Sequence, residues 1–160
     1  MDILEIKDLE TLAQKRVPKM FFDYVNSGSW TETTYNENIS DFQKIKLRQR
    51  VAIDMSNRTM ATKMVNQSVS MPVAIAPTGL TGMQRADGEI LAAQAAEEFG
   101  IPFTLSTMSV CSIEAVAEKT KNPFWFQLYV MKDKKFMARL IDRAKEAKCS
   151  ALVLTLDLQI

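Results

Sequence analysis

The sequence contains no histidine and only two cysteines, and both shortages restrict the chemistry it can support. Without an imidazole, the chain lacks the side chain that most often serves as a metal ligand or as a base near neutral pH. Cys111 and Cys149 lack the spacing of metal ligands and imply no disulfide framework. We therefore expect no metal site and two free, partly buried thiols in a reducing cytoplasm.

Excess charge of one sign is also missing. The 20 basic and 19 acidic residues are well mixed and give a net charge of +1, so no nucleic-acid partner is expected. The N-terminus is acidic from its second residue and has no long apolar core, which argues against a secretory signal, and no run of about 20 apolar residues predicts a membrane span. The expected location is cytoplasmic, with at most peripheral contact with the inner membrane.

Four apolar runs, each ending in polar residues, occupy the second half of the chain at 71–79, 101–107, 123–129 and 151–157. Their midpoints Ala74, Phe103, Trp125 and Val153 are 29, 22 and 28 residues apart, the length of a strand plus a crossover helix. We predict parallel strands near 72–77, 102–106, 124–129 and 151–156. This α/β rhythm is typical of a TIM (β/α)8 barrel.

A complete barrel of eight units needs about 250 residues, so the sequence predicts an N-terminal half-barrel within a longer protein; an open half-barrel is the alternative. Residues 71–160 would hold the first four strands. Residues 1–70 would form a helical region that packs on the barrel. Between the strands we predict helices over 87–99, ended by Gly100, and after the caps Ser112 and Asp133.

Polar side chains stand where the predicted strands end, and they share chemistry suited to a flat heteroaromatic ring. In a parallel barrel the carboxyl ends of the strands form one rim, where ligands bind. Each side chain except Asp157 also has a simple structural explanation as a turn, cap or core residue. Asp157 is the exception, because a carboxylate at the end of a buried strand needs a partner. The candidates at this rim are Thr78, Ser106, Gln127, Tyr129, Thr155 and Asp157.

The order of several motifs resembles the FMN-dependent α-hydroxy acid dehydrogenases and oxidases, with the nearest likeness to the bacterial L-lactate dehydrogenase branch. These motifs are FDY at 22–24, LRQRV at 47–51, MPVAIAPTGL at 71–80, PFTLST at 102–107, WFQLY at 125–129 and TLD at 155–157. The resemblance implies oxidation of an L-α-hydroxy acid, with L-lactate as the expected substrate, to the α-keto acid, with FMN as cofactor.

The resemblance also implies roles for individual residues. Pro77, Thr78 and Gly79 would lie along the flavin, while Ser106, Gln127 and Thr155 would bind its polar edge. Tyr24 and Tyr129 would face the substrate. Tyr129 would act near the carbon that is oxidised, and Asp157 would support an imidazolium formed when a histidine takes the substrate proton.

The absent histidine is the main departure from the family, because the family's base must then come from beyond this sequence. The alternative is a catalytically inactive half-barrel that binds flavin weakly or serves as an interaction module. Gly79, where oxygen-reactive relatives often carry alanine, favours a quinone or cytochrome as electron acceptor. The resemblance further implies a homo-oligomer in the full-length form, with any peripheral membrane contact made by a segment outside this sequence.

Overall fold

The computed structural model describes residues 3–157 of the chain. They form two compact units that divide after Thr59. The first unit is helical, and its elements are α1 (Ile6–Arg16), α2 (Lys19–Val25), α3 (Thr33–Ser40) and a 3-10 turn (Asp41–Lys44).

Helix α3 was not predicted, because its sequence is polar and has little apolar periodicity. Its position depends on contacts with a preceding glycine. The carboxylate of Glu32 accepts a hydrogen bond from the Gly28 N–H at 2.9 Å. A Cβ at Gly28 would lie only 2.8 Å from the Cβ of Tyr35. The helix therefore packs against a glycine that no larger residue could replace without a shift.

The second unit opens with a small antiparallel hairpin of β1 (Thr62–Met64) and β2 (Gln67–Val69). Helices and strands then alternate, as the sequence predicts. The remaining elements are α4 (Thr81–Gln84), α5 (Gly88–Phe99), β3 (Thr104–Leu105), α6 (Ile113–Lys119), β4 (Trp125–Tyr129), α7 (Lys134–Glu146) and β5 (Ala151–Thr155).

The last three strands pair in parallel in the order β3-β4-β5, which confirms the predicted parallel arrangement. The predicted strand at 72–77 is much shorter than expected: only Ile75 pairs, through a parallel bridge to Phe103. Pro72 and Pro77 flank this residue, and neither can donate a backbone hydrogen bond to a neighbouring strand. The location of this strand was predicted correctly, and its length was wrong.

The predicted helix boundaries in this unit rest on local hydrogen bonds. Ser112 accepts from the Ala115 N–H at 3.1 Å at the start of α6. Asp133 accepts from the N–H groups of Lys135 and Phe136 at 2.9 and 3.0 Å at the start of α7. Gly100, with φ of +67°, ends α5 in the left-handed conformation that glycine adopts without strain.

The core lies between one face of the sheet and helices α5, α6 and α7. Strand residues at alternate positions point into it because side chains alternate across a sheet. Removing each large side chain from water contributes on the order of 1.5–3 kcal/mol. The buried members of this core include Leu105, Phe126 and Leu128 from the strands and Ala93, Ala96, Val116, Leu140 and Ala144 from the helices.

The proposed division of the chain at residue 70 stays a prediction. The compact units divide after Thr59, and the hairpin of β1 and β2 belongs to the second unit.

Within residues 3–157, no helix combines the length and apolar character that crossing a bilayer requires.

Candidate functional site

The candidate site lies on the sheet face opposite the helical core. Gln127 stands beside Val153 in the register of β4 and β5, and Tyr129 stands beside Thr155. Ser106 follows β3 directly, two residues beyond Thr104, which pairs with Trp125. Because side chains two residues apart share a face, the register places the predicted polar residues of three neighbouring strands together.

Hydrogen bonds join these residues through the amide of Gln127. Its Oε1 accepts from the Ser106 hydroxyl at 3.3 Å, and its Nε2 donates to Thr155 Oγ1 at 2.7 Å. Gln127 and Ser106 are buried, with 1% and 3% of their surface exposed, while Thr155 is half-buried. An amide without partners at this depth would cost about 1–3 kcal/mol, so the network fixes its orientation.

Thr107 also belongs to this network, although sequence reasoning did not select it. Its N–H donates to Gln127 Oε1 at 3.1 Å, and its hydroxyl donates to the backbone carbonyl of Gln127 at 2.5 Å. Its hydroxyl oxygen also receives the Tyr129 N–H at 3.4 Å. Thr107 thus continues the link between β3 and β4 past the last paired residue. The serine–threonine pair at the end of an apolar run was the available signal.

The segment after Ile75 carries the other predicted cofactor residues. Pro77 and Thr78 are exposed, and Gly79 is half-buried. A Cβ at Gly79 would lie 3.2 Å from the Cβ of Met108 and 3.9 Å from Ser106 Oγ. The Leu80 N–H donates to the Met108 carbonyl at 2.9 Å. The structure therefore brings Gly79 next to the Ser106 end of the polar network.

The predicted substrate and base-supporting residues lie in different surroundings. Tyr129 ends β4 and is half-buried. Asp157 lies two residues past β5 and is exposed, so the expectation that it needs a buried partner does not apply to it. Tyr24 belongs to α2 in the first unit and is 64% exposed. The proposed roles of these three residues stay predictions.

A buried carboxylate lies at the start of α5, outside the polar network. Glu89, in the first turn of α5, is 1% exposed, and its Oε1 accepts from the N–H groups of Val110 and Gly82 at 2.9 and 3.0 Å. Burial by itself would raise the pKa of Glu89, but hydrogen bonds with the N–H groups of Val110, Gly82 and Glu89 itself and with the Cys111 thiol together lower the pKa below its ordinary value. Glu89 is therefore ionised at neutral pH.

The pKa values of the two thiols are raised, whereas that of Glu89 is lowered. Burial raises the pKa of Cys111, and the neighbouring Glu89 raises it further. Burial also raises the pKa of Cys149 to about 11. Both thiols are free and half-buried, so they are poor nucleophiles at neutral pH. No group of three or more acidic, cysteine or histidine side chains in the described part of the chain is arranged to hold a metal ion.

The polar network has the chemistry to bind a ring that carries carbonyl oxygens and ring nitrogens, as a flavin does. The Gln127 amide nitrogen has two hydrogens, and one is used on Thr155. Thr155 accepts that bond, so its own hydroxyl hydrogen can be donated to another group. Thr155 is half-buried and bonded to the buried Gln127 amide, so the donors and acceptors of these residues fit the polar edge of such a ring.

Comparisons with known proteins agree with this chemistry. The family model for FMN-dependent dehydrogenases matches residues 13–160. An L-lactate dehydrogenase of Acinetobacter baumannii is 50% identical over 153 residues, which cover 96% of this chain and 40% of that protein. An L-lactate dehydrogenase of Acinetobacter baylyi is 48% identical over all of this chain and 42% of its own length.

A solved structure shows the same fold. A soluble mutant of the membrane-associated (S)-mandelate dehydrogenase from Pseudomonas putida superposes with a TM-score of 0.93 and 35% sequence identity, and the match covers 99% of this chain and 45% of that one. The chain thus spans less than half the length of the relatives that it matches. It belongs to the FMN-dependent dehydrogenase family, and the predicted βα-barrel fold class is confirmed.

Proposed function

We propose that the whole protein is an FMN-dependent oxidoreductase that oxidises an L-α-hydroxy acid, with L-lactate as substrate, to the α-keto acid. The proposal is supported most by the network joining Ser106, Gln127 and Thr155 at the carboxyl ends of three parallel strands. The names of the Acinetobacter relatives support lactate as the substrate. Bound FMN would supply the chemistry of accepting the two electrons that leave the substrate.

Different residues of this chain would contact different parts of the flavin ring. Thr155 and Gln127, with Ser106, would hold the polar edge of the ring, and the backbone of Pro77, Thr78 and Gly79 would line its face. These contacts would orient the ring before the reaction begins. The ring and the groups around it would then need to move little during the reaction.

The two tyrosines and Asp157 would act on the substrate side. The phenol of Tyr24 would bind the substrate carboxylate, and that of Tyr129 would donate to the substrate oxygen as charge develops. Asp157 would stabilise the protonated form of a base. Because the 160 residues contain no histidine, none of them is assigned to take the substrate proton.

The electron acceptor and the setting of the reaction complete the proposal. Gly79 supports a quinone or a cytochrome as the acceptor, and we propose a homo-oligomeric, cytoplasmic protein. Peripheral contact with the membrane is supported by the membrane-associated mandelate dehydrogenase, which is similar in fold and sequence.

A turnover assay tests the function directly. The purified whole protein, supplied with FMN, should convert L-lactate to its keto acid and bleach the visible flavin absorption when air is excluded. Reduction by D-lactate should be much slower. Flavin that stayed oxidised with L-lactate and with longer L-α-hydroxy acids would contradict the proposal, and rapid reoxidation by air, comparable with that by a quinone, would contradict the proposed acceptor.

A second candidate function is flavin binding without catalysis. It is favoured by the absence of histidine from these 160 residues, because the base that this oxidation needs is then not among them. A 160-residue chain that bound FMN but gave no bleaching with L-lactate would support this candidate for the chain taken alone.

A further inference from the structure

Glu89 is a charged group for which the proposed reaction has no use, yet it is almost completely buried. An ionised carboxylate at 1% exposure is costly unless hydrogen bonds compensate for lost water. Its Oε1 receives two backbone N–H groups, at 3.0 and 2.9 Å. These donors come from Gly82 and Val110, which lie on different connections of the second unit. The carboxylate therefore bridges two segments distant in sequence.

The two bridged segments are those that carry the candidate flavin residues. We call residues 77–82, whose last two residues begin α4, the first loop, and residues 106–111 the second loop. The first loop contains Gly79 and follows the pairing at Ile75, and the second loop begins with Ser106 at the end of β3. A direct bond from the Leu80 N–H to the Met108 carbonyl, at 2.9 Å, joins the loops near the polar network. Glu89 joins them a second time, farther along each loop.

Close packing leaves little freedom at the Glu89 bridge. A Cβ at Gly82 would lie 2.6 Å from the Cβ of Val110 and 3.1 Å from Glu89 Oε2. A Cβ at Gly88 would lie 2.8 Å from the carbonyl oxygen of Thr81. The first loop, the second loop and the start of α5 thus meet where only hydrogen atoms fit. Loss of the Glu89 carboxylate would remove this bridge from both loops at once and leave the Leu80–Met108 bond as the remaining hydrogen bond between them described here.

We propose that Glu89 is a positioning residue of the flavin site, whose buried carboxylate holds the loops carrying Gly79 and Ser106 at the separation that FMN binding requires. This inference rests on the proposed FMN-dependent function. Glu89 acts through the two backbone N–H groups and does not touch the cofactor. Its effect should therefore depend on an acceptor oxygen at this position and not on charge alone.

The test is a titration of the whole apoprotein with FMN, followed by flavin fluorescence. Glu89→Ala should weaken FMN binding by about tenfold or more, since one lost set of charged hydrogen bonds is worth at least that factor. Glu89→Gln keeps an oxygen for Gly82 and Val110 and should stay within about threefold of the unaltered protein. The exposed Glu98 of the same helix provides the matched control, and Glu98→Ala should bind FMN normally.

The outcomes separate the inference from the function on which it rests. If the unaltered protein bound no FMN, the proposed function would fall, and the flavin role of Glu89 with it. If the unaltered protein bound FMN and Glu89→Ala bound it equally well, only the role of Glu89 would be overturned. Equal losses in Glu89→Ala and Glu89→Gln would also overturn it, because the acceptor oxygen would then not matter.

Amide hydrogen exchange tests the same inference without a variant, in case Glu89→Ala does not fold. The N–H groups of Gly82 and Val110 should exchange slowly in the unaltered protein, and saturation with FMN should slow both further by about tenfold. Bound FMN that left both exchange rates unchanged would overturn the coupling between Glu89 and the flavin site.

Discussion

At the residue scale, Gln127 is the centre of the candidate site, because its side-chain oxygen and nitrogen contact different strands. The oxygen accepts from Ser106 and Thr107, and the nitrogen donates to Thr155. A glutamate here would lack the N–H that Thr155 accepts, and a leucine would have neither function. The amide thus holds the ends of three strands in one arrangement.

Thr155→Val should loosen flavin more than it slows the reaction of flavin-loaded protein. The change removes the hydroxyl 2.7 Å from Gln127 Nε2 and leaves a buried amide hydrogen without a partner, which costs about 1–3 kcal/mol. FMN titration and turnover at saturating FMN measure the two effects separately. Thr62→Val, on the exposed strand β1, is the matched control. Unchanged FMN affinity with reduced turnover would contradict this assignment.

Tyr129→Phe should act on the reaction and not on the flavin. The substitution keeps the ring and removes one phenol, so a bond that strengthens as charge develops would be lost mainly from turnover, at about 1–3 kcal/mol of barrier. Steady-state kinetics with L-lactate and an FMN titration test this split. Tyr35→Phe, in the first unit, should leave turnover unchanged. A Tyr129→Phe protein with normal turnover would remove this residue from the catalytic site.

At the scale of elements, an ion pair joins α6 to α7. Arg143 Nε and Nη2 contact the two carboxylate oxygens of Glu114 at 2.6 and 2.7 Å, a paired geometry that fixes both side chains. The hydrogen bonds from Arg143 lower the pKa of Glu114 to about 2. About half of each side chain is exposed, so solvent screens the pair and it contributes at most about 1 kcal/mol.

The pH dependence of stability follows from this ion pair. The pKa of Glu114 is lower in the folded chain than its ordinary value of 4.5, so its stabilisation is complete above that pH and declines as pH falls toward about 2. The difference in urea unfolding free energy between the unaltered protein and Glu114→Gln should therefore be larger at pH 7 than at about pH 3. Glu98→Gln, which removes an exposed carboxylate of α5, is the matched control. A difference independent of pH would contradict the ion-pair account.

The elements most accurately predicted are those whose ends depend on local chemistry. Ser112, Asp133 and Gly100 mark helix ends in the sequence, and the structure places them there. The polar helix α3 and the shortness of the strand at Ile75 depend on contacts and backbone donors that apolar periodicity does not report. Local sequence signals therefore predict the ends of these helices more accurately than the length of the strand at Ile75.

At the scale of the whole molecule, the parallel order and the shared polar face were predictable, because strand spacing and alternation determine both. The role of Glu89 was not, because it depends on loops that meet only in the folded chain. For Thr107 the only signal in the sequence was the serine–threonine pair that ends its apolar run, and its bond to Gln127 is seen only in the fold. A charged residue next to glycine in an alanine-rich helix looks like an ordinary surface residue in the sequence. Its burial is set by packing against Gly82 and Val110.

The free edge of β5 leads to a prediction for the 160-residue chain when it is prepared alone. β5 pairs with β4, and Leu152 and Leu154 on its helix-facing side are 49% and 47% exposed. In the described part of the chain, no strand pairs with its other edge. Such an edge favours association with other chains. Light scattering should detect oligomers or aggregates, and a compact, stable monomer over a wide concentration range would contradict this expectation.

A crystal structure of the whole protein with FMN would show directly where the flavin binds. We expect the polar edge of the flavin ring at hydrogen-bond distance, about 3 Å, from Thr155 Oγ1 and Gln127 Nε2. We also expect the backbone of Pro77, Thr78 and Gly79 to line one face of the ring. A flavin bound away from the ends of β3, β4 and β5, with Gln127 still engaged only by Ser106, Thr107 and Thr155, would contradict this placement.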